Sequence, residues 1–272
     1  MKYLILGDLH CREIWKDIIA KEGIDNYDKV IFLGDYLPPR HDVTLDDPTD
    51  ACGFLYEVLD FKDQHPDKVV LLRGNHDTQA LGYYWAECYP KVHPRVAQYC
   101  QTEDVKNWFL KNTQWVFLIP DTNIVCSHAG ISEPFLENVR KYWDTHMEQP
   151  DDGYFVPGIS NINDIEPCEL FGFTPCKFSD YTGESSTQPC TWIRPYTLLF
   201  HGVKDVIQVV GHTPVEHICN LKEGLLKDPN ATNLGAIREY CEVWCCDCLE
   251  HGEYLVVENG EFIPKKLNES RR

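Results

Sequence analysis

The chain has 272 residues and a formal net charge of −18 at pH 7, from 43 acidic and 25 basic residues. This charge disfavours polyanionic partners such as nucleic acid and anionic membranes, although it is compatible with a small local basic pocket. Hydrophobic residues make up 43% of the chain, enough for one sizeable core, and no apolar run approaches the roughly 20 residues of a membrane span. We therefore expect a single domain over residues 1–272 and no contact with a membrane.

The N-terminal segment predicts a β-strand rather than a signal peptide. Residues 1–6 carry one charge, on Lys2, and lack a small-residue cleavage site. The 13 cysteines could in principle form a secreted disulfide framework, but without an export signal they are interpreted as reduced, buried thiols. The expected location is cytoplasmic.

Five apolar runs of strand length each end at a polar cluster. In chain order they are residues 3–6 before Gly7-Asp8-Leu9-His10, 30–33 before Gly34-Asp35, 69–72 before Arg73-Gly74-Asn75-His76-Asp77, 124–126 before Ser127-His128-Ala129-Gly130, and 206–210 before Gly211-His212-Thr213-Pro214. Short continuous apolar runs indicate strands that are buried on both faces. Because sites in α/β folds collect at the carboxyl ends of strands, these clusters are predicted to form one site.

Helical patterns separate the strands. Apolar residues recur at helical spacing over residues 13–21 and 49–62, with Thr49 or Asp50 as the expected N-cap of the second helix. Residues 105–110 form a third predicted helix. Strands that alternate with helices predict an α/β fold.

The second half of the chain is less regular. Residues 132–191 are rich in Pro, Gly, Asp and aromatic residues, and we interpret them as an irregular insertion that shapes a substrate pocket. Residues 242–249, 253–257 and 261–264 predict a β-meander, in which Asn259-Gly260 is a strong hairpin signal.

Six side chains at the strand ends have the chemistry of metal ligands: Asp8, His10, Asp35, Asn75, His128 and His212. Asp8 and His10 are two residues apart at a strand end, so that they share a face and can share an ion. Asp35 offers two oxygens and could bridge two ions. A set of oxygens and nitrogens without a thiolate suits manganese, iron or zinc better than calcium. Paired ions would acidify a water molecule and neutralise phosphoryl oxygens.

His76 is a candidate general acid. It directly follows Asn75, points in a different direction from that ligand and could protonate a leaving oxygen. The alternative is a structural hydrogen bond to Asp77 or Asp42.

Two arginines are candidate phosphate ligands. Arg194, in the segment Trp192-Ile193-Arg194-Pro195, could clamp two phosphoryl oxygens; the alternative is a surface arginine packed on Trp192. Arg40 is the second candidate.

A cysteine cluster near the C-terminus raises the question of a zinc site. It comprises Cys241, Cys245, Cys246 and Cys248. Because a strand alternates its faces, Cys246 and Cys248 point away from Cys245, and four thiolates do not easily converge on one ion. Buried thiols are the favoured interpretation.

The motifs resemble those of the calcineurin-like metallophosphoesterases, and more closely the phosphoprotein phosphatase branch. The segments that carry the resemblance are Gly7-Asp8-Leu9-His10, Gly34-Asp35-Tyr36, Leu72-Arg73-Gly74-Asn75-His76-Asp77, His128-Ala129-Gly130 and Gly211-His212-Thr213-Pro214. Trp192-Ile193-Arg194 resembles the arginine motif of bacterial and phage-type serine/threonine phosphatases, a group that is similar to the symmetrical dinucleoside tetraphosphate hydrolases.

The resemblance implies a fold of two mixed β-sheets packed face to face and flanked by helices. It also implies that His76 is the general acid and that two divalent metal ions are bound, with manganese expected and iron or zinc as alternatives. The first ion would be held by Asp8, His10 and Asp35, and the second by Asp35, Asn75, His128 and His212.

The loop after the second strand departs from the family pattern. The family usually continues Gly-Asp-x-x-Asp-Arg-Gly, whereas this chain has Pro38 in place of the second aspartate, which normally supports the acid histidine. Arg40 is displaced by one position, and Asp42 is a candidate replacement for the missing carboxylate.

These features predict a metal-dependent hydrolase of phosphate monoesters, similar to a serine/threonine protein phosphatase. Its partner would be a phosphorylated protein or a small phosphorylated compound. The alternatives are a nucleotide or dinucleoside polyphosphate hydrolase or a phosphodiesterase, which would keep the same site. A non-catalytic scaffold is disfavoured because all six ligands and His76 are present.

Overall fold

The computed structural model describes residues 1–37, 48–83, 94–147, 157–172, 183–227, 237 and 241–268. The strands are β1 (Lys2–Leu6), β2 (Lys29–Phe32), β3 (Val69–Leu72), β4 (Thr113–Gln114), β5 (Val116–Leu118), β6 (Ile124–Ser127), β7 (Ile207–Pro214), β8 (Cys219–Asn220), β9 (Glu242–Asp247), β10 (Glu253–Glu258) and β11 (Glu261–Lys266). The helices are α1 (Ile14–Glu22), α2 (Pro48–Gln64), α3 (Asn75–Ala80), α4 (Pro94–Cys100), α5 (Glu103–Asn112), α6 (Glu133–His146), α7 (Pro195–His201) and α8 (Leu221–Lys227).

The strands form two mixed sheets. The first has six strands in the order β11-β10-β1-β2-β3-β4, in which β1 to β4 run parallel and β10 and β11 are antiparallel additions. The second has five strands in the order β5-β6-β7-β9-β8, with β6, β7 and β9 parallel. The predicted fold class, two mixed sheets flanked by helices, is confirmed.

The core of the sandwich lies between the two sheets. Ile5, Ile31 and Leu72 of the first sheet pack in one buried cluster with Cys126 and Val209 of the second. Because side chains alternate along a strand, the neighbouring residues of the first sheet point outward to a helical layer. The parallel strands are thus apolar on both faces, which explains their short continuous apolar runs.

Helices cover the outer face of each sheet. On the first sheet, Trp15 of α1, Leu55 of α2 and Phe109 of α5 belong to one buried cluster. On the second sheet, Phe135 of α6 packs in a cluster with Trp115, and a smaller cluster lies beneath α7. These layers exclude water from the backs of both sheets and leave the strand ends as the polar edge.

The helix boundaries differ from the predicted ones in two places. The second helix begins at Pro48, so that Thr49 and Asp50 lie within its first turn and neither is its N-cap. Residues 133–146, inside the segment interpreted as irregular, form the regular helix α6. The Ser132 side chain caps this helix by accepting the Phe135 N–H at 3.1 Å, a signal that the sequence already contained.

The predicted C-terminal meander is wrong in one respect. Strand β9 pairs with β7 in the second sheet, whereas β10 and β11 form a hairpin in the first sheet. Both faces of β9 are buried, with Val243 and Cys245 on one side and Cys246 on the other, and such a strand needs an interior position. The hairpin itself is confirmed, since Asn259 and Gly260 have φ angles of 52° and 85°, as its turn requires.

Two further features are the length of the helices and the state of the cysteines. Among the described residues, none of the helices has the length and apolar character that crossing a bilayer would require. The described cysteines form no disulfide bonds, and Cys241, Cys245, Cys246 and Cys248 are all buried.

Candidate active site

The carboxyl ends of strands from both sheets meet at one polar edge. The His10 N–H donates to the Asp35 carbonyl oxygen at 2.8 Å, which joins the loops after β1 and β2. The His212 N–H donates to both oxygens of Asp8, at 3.0 and 3.1 Å, which joins the two sheets. The clusters that the sequence places after separate strands therefore form one site.

The six predicted metal ligands lie together at this edge. Ligand atoms of Asp8, His10 and Asp35 lie within 4.8 Å of one another, and so do those of Asp35, His128 and His212. Asp35 belongs to both groups, with its Oδ2 atom 3.9 Å from His10 Nε2 and 3.6 Å from His128 Nε2. Asn75 Oδ1 completes the second group at 2.9 Å from both His128 Nε2 and His212 Nδ1.

Backbone carbonyls orient each of the three histidines. The pairs, each joining one ring nitrogen to a carbonyl oxygen, are His10 Nδ1 with Leu37 at 3.0 Å, His128 Nδ1 with Leu33 at 2.9 Å, and His212 Nε2 with Trp192 at 3.2 Å. A carbonyl accepts a hydrogen bond only from a protonated nitrogen, so that the other nitrogen of each ring carries a lone pair. That nitrogen faces a carboxylate in His10 and His128 and the Asn75 amide oxygen in His212. A backbone hydrogen bond on one nitrogen that leaves the other for an ion is the usual arrangement of metal-binding histidines.

The charges at the site fit the binding of cations. Burial, followed by the nearby Asp247 and Asp35 carboxylates, raises the pKa of Asp8 well above its usual range, despite the His212 N–H. Burial lowers the pKa of His128 to about 3 and that of His212 well below its usual value, so that both rings are neutral at pH 7. The buried carboxylates thus face neutral imidazoles, and divalent cations would compensate the negative charge of these carboxylates.

The local backbone is held in an uncommon conformation. His10, Asp35 and His212 have φ angles of 44°, 49° and 61°, in the left-handed region. Non-glycine residues in this region cost of order 1–3 kcal/mol each and persist where the surroundings fix them. The register of β7 and β9 also shifts between Val210 and Pro214, which bulges the strand at His212.

The Asp77 carboxylate ties the loops after β2 and β3 together. Its Oδ2 atom accepts the N–H groups of Asp35 at 2.8 Å and of Gly74 at 2.9 Å, and its Oδ1 atom accepts that of Tyr36 at 2.9 Å. Asp77 is 1% exposed, and burial raises its pKa to about 6 in spite of these hydrogen bonds. The sequence places Asp77 in the polar cluster after β3 and offers it as an alternative hydrogen-bond partner of His76. Its position, the third of α3, is also a recognisable capping signal.

The structure places His76 beside the ligands, in the first turn of α3. Its Nε2 atom is 3.8 Å from Asp35 Oδ2, and its ring meets that of His10 edge to face with centroids 5.2 Å apart. Its backbone N–H donates to Asp35 Oδ1 at 2.9 Å. The side chain is 10% exposed, which leaves the imidazole at the rim of the site.

Arg194 also lies at the site. Its Nη1 atom donates to Thr213 Oγ1 at 3.0 Å and to the His212 carbonyl oxygen at 3.3 Å. The guanidinium is therefore held next to His212, a candidate metal ligand. Arg40, Pro38 and Asp42, on which the second arginine and the support of His76 depend, lie outside the described residues.

One acidic residue near the site was missed by the sequence analysis. Asp247, at the end of β9, is 8% exposed, and its carboxylate has the largest effect on the pKa of Asp8 after burial itself. Burial raises the pKa of Asp247 to about 6, against the attraction of Arg12 and Arg194. Its strand belongs to the region that the sequence predicted as a meander, and for this reason the sequence did not place it at the site.

The chain is similar to several known proteins. Over 155 residues the chain is 28% identical to the serine/threonine-protein phosphatase 4 catalytic subunit of Kluyveromyces lactis; the alignment covers 55% of this chain and 46%, less than half, of that relative. Among solved structures, a proposed diadenosine tetraphosphatase aligns at 16% identity and a TM-score of 0.43. The alignment covers 97% of this chain and 92% of the tetraphosphatase chain. A protein serine/threonine phosphatase from Saccharomyces cerevisiae aligns at 12% identity and a TM-score of 0.49. The alignment covers 100% of this chain and 81% of the yeast chain.

The family model described as calcineurin-like phosphoesterase matches residues 1–230, which include all six ligand residues, His76 and Arg194. This match extends over most of the chain. The protein therefore belongs to the calcineurin-like phosphoesterase family.

Proposed function

We propose that the protein hydrolyses phosphate monoesters with two divalent metal ions, in the manner of a serine/threonine protein phosphatase. One observation carries the proposal: the Asp35 carboxylate belongs to both ligand groups, so that a single side chain lies within reach of two ion positions. A shared carboxylate is the feature that distinguishes a two-metal site from two separate ones.

The donor set favours manganese, with iron or zinc as alternatives. Carboxylate and amide oxygens together with imidazole nitrogens, without a thiolate, suit ions of this borderline class. When bound, such ions would acidify a water molecule for attack on phosphorus and offset the negative charge of the phosphoryl oxygens. The chain's own contribution is to fix each ligand: carbonyl oxygens set the histidine tautomers, and the His212 N–H holds Asp8.

His76 is proposed as the general acid. Its Nε2 atom lies 3.8 Å from the shared Asp35 carboxylate at the rim of the site, within reach of a phosphate bound between the two ion positions. Protonation of the leaving oxygen by a positioned side chain contributes about 10²–10⁴-fold to the rate.

Arg194 and Arg40 are proposed as phosphate ligands. Thr213 and the His212 carbonyl oxygen hold the Arg194 guanidinium beside the second ligand group, where it can clamp phosphoryl oxygens. The proposal for Arg40 rests on the sequence alone.

The proposed substrate is a phosphorylated protein or a small phosphorylated compound in the cytoplasm. The similarity to a serine/threonine phosphatase subunit over 155 residues supports this class. A net charge of −18 disfavours nucleic acid as the substrate.

Hydrolysis of p-nitrophenyl phosphate and of bis(p-nitrophenyl) phosphate with added Mn²⁺ tests the proposal. Turnover of the monoester is expected for the wild type and for His146→Ala, a control at an exposed histidine on α6. Loss of turnover is expected for Asp35→Asn, whose weaker Mn²⁺ binding can be measured separately by calorimetry. Preference for the diester would overturn the monoester proposal in favour of a phosphodiesterase, and turnover that needs no metal would overturn the site.

The role of His76 has its own test. Phenyl phosphate has a more basic leaving group than p-nitrophenyl phosphate and depends more on a general acid. His76→Ala is therefore expected to lose more activity on phenyl phosphate than on the nitrophenyl ester. Equal losses on the two esters would show that His76 does not protonate the leaving oxygen.

Substrate class is decided by a phosphoserine peptide and diadenosine tetraphosphate as competing substrates. Faster hydrolysis of the phosphopeptide supports the proposal. Activity on the dinucleotide but not on the peptide would establish the polyphosphate hydrolase instead.

A further inference from the structure

Two cysteines face each other at the edge of the second sheet. The short strand β8 pairs antiparallel with β9, and in this register Cys219 lies directly opposite Cys245. Residues that are directly opposite in an antiparallel pair have Cα atoms about 4.5–5.5 Å apart, and their side chains share one face. A disulfide requires Cα atoms about 4.4–6.8 Å apart, so that the backbone already meets this condition.

The two cysteines pack in the same apolar cluster, and their environments differ. Cys245 is 1% exposed and packs in the cluster beneath α7, whereas Cys219 is half-buried at its margin. A hydrogen bond from Cys245 lowers the pKa of the Cys219 thiol to about 7 against the effect of burial, with a further contribution from His217. The same hydrogen bond, together with burial, raises the pKa of Cys245 well above its usual value.

Such a pair combines an accessible nucleophile with a buried second thiol. The thiolate is the reactive form of cysteine, and partial exposure gives it access to reagents. By contrast, Cys126 and Cys190 are buried, and burial raises the pKa of each. Cys246 of β9 and Cys248, just after the strand, pack in the other cluster, between the two sheets.

We propose that Cys219 and Cys245 form a thiol–disulfide exchange site that closes reversibly into an intramolecular disulfide when the protein meets a low-molecular-weight disulfide. The Cys219 thiolate attacks one sulfur of the reagent, forms a mixed disulfide and releases one thiolate. Loss of the negative charge on Cys219 removes the interaction that keeps the proton on Cys245. Cys245 then gives up that proton and attacks Cys219 Sγ, and the second reagent thiolate leaves, so that two protein thiols are oxidised and one disulfide is reduced to two thiols.

The pair lies one layer behind the active site. Cys245 shares its buried cluster with Ala129, Ile193 and Val210, which adjoin His128, Arg194 and the bulge that holds His212. The exchange site is nevertheless separate from the metal ligands, and its test does not depend on the proposed phosphatase activity.

Peptide mapping of the full-length protein tests the proposal. The reduced protein is treated with oxidised glutathione, quenched with N-ethylmaleimide, digested and analysed by mass spectrometry. A cross-linked peptide pair joining Cys219 and Cys245, which dithiothreitol abolishes, is expected for the wild type and for the control Cys168→Ser. Glutathione that stays on Cys219 without a cross-link, or no reaction at Cys219, would overturn the proposal.

Two variants separate the disulfide from the reactivity of Cys219. Cys245→Ser keeps a hydrogen-bond donor, so that iodoacetamide labelling of Cys219 is expected to keep a midpoint near pH 7 while the cross-link is lost. Cys245→Ala removes the donor. The pKa of Cys219 should then return from about 7 toward 9.0. At acidic pH this change lowers the thiolate population of Cys219 about 100-fold, but each thiolate becomes more nucleophilic, so that the labelling rate decreases by about tenfold. A wild-type midpoint near pH 9 would contradict the inference even if neither variant folds.

Discussion

The close approach of Gly211 to Asp8 makes a sharp test of how the site is built. A Cβ atom at position 211 would lie less than 3.0 Å from Asp8 Oδ1, a distance that real Cβ contacts do not reach. The next two atoms in its path, Asp8 Cγ at 3.3 Å and Leu33 Cβ at 3.4 Å, leave little space on the other sides. Gly211→Ala is therefore expected to displace the Asp8 carboxylate, because its Oδ1 atom occupies the space that the added Cβ atom needs.

The size of the effect follows from what Asp8 contacts. Its two oxygens accept the His212 N–H at 3.0 and 3.1 Å, and a hydrogen bond to a charged group contributes about 1.5–3 kcal/mol. The carboxylate has to move by about 1 Å to reach an ordinary separation, and a misplacement of that size costs about 100-fold in rate. We expect a loss of about 2–3 kcal/mol in the free energy of unfolding and at least about 100-fold in turnover.

The assay compares Gly211→Ala with Gly224→Ala. Gly224 lies in α8 with nothing within 4 Å of an added Cβ atom, so that alanine there is expected to stabilise the protein by about 0.5–1 kcal/mol. Urea unfolding gives the stabilities, calorimetry gives the Mn²⁺ affinity, and p-nitrophenyl phosphate gives the turnover. If Gly211→Ala bound Mn²⁺ and turned over substrate like the wild type, Asp8 would not be a metal ligand in the position described.

Three further predictions concern pH, metal removal and helix capping. Burial alone would raise the pKa of Glu22, but hydrogen bonds from Tyr27, Tyr254 and Lys265 lower this pKa overall. The ionised Glu22 carboxylate therefore stabilises the folded protein above about pH 4.3, and this stabilisation is lost as the pH falls through the pKa of the folded state. Glu22→Gln should thus destabilise the protein at neutral pH and lose this effect in strong acid, and an equal urea-unfolding difference at both pH values would refute the assignment. Chelation with EDTA should abolish turnover and lower the melting temperature, both restored by Mn²⁺; unchanged melting would show that the buried carboxylates need no cation. Ser132→Ala should cost about 1 kcal/mol in urea unfolding, and more than Thr102→Ala, since only the first side chain caps its helix.

The ligand set could be predicted from the sequence because it depends on local order. Asp8, Asp35 and Asn75 each follow a short apolar run, and parallel strands of a sheet end at the same edge. Neither step requires knowledge of how the sheets pack. The sequence therefore brings together candidate ligands that are far apart along the chain, and the structure places them at one edge.

The supporting contacts could not be predicted in the same way. The carbonyl oxygens of Leu33, Leu37 and Trp192 orient the histidines, but every residue has a carbonyl and none carries a sequence signal. The position of Asp247 depends on β9 joining the second sheet, which is decided by the burial of both faces of that strand. Such pairing over long range is set by packing and not by the local pattern.

The left-handed backbone at His10, Asp35 and His212 limits which residues evolution can accept at these positions. Aspartate, asparagine, histidine and glycine tolerate this conformation, whereas β-branched residues do not. A substitution to valine or threonine would therefore remove a ligand and strain the chain in one step. A substitution of His212 by asparagine would keep the backbone conformation and offer an amide oxygen in place of the ring nitrogen. Relatives that bind a different metal are accordingly expected to differ at these positions only within this small set of residue types. The backbone conformation thus restricts which ligand atoms the site can acquire.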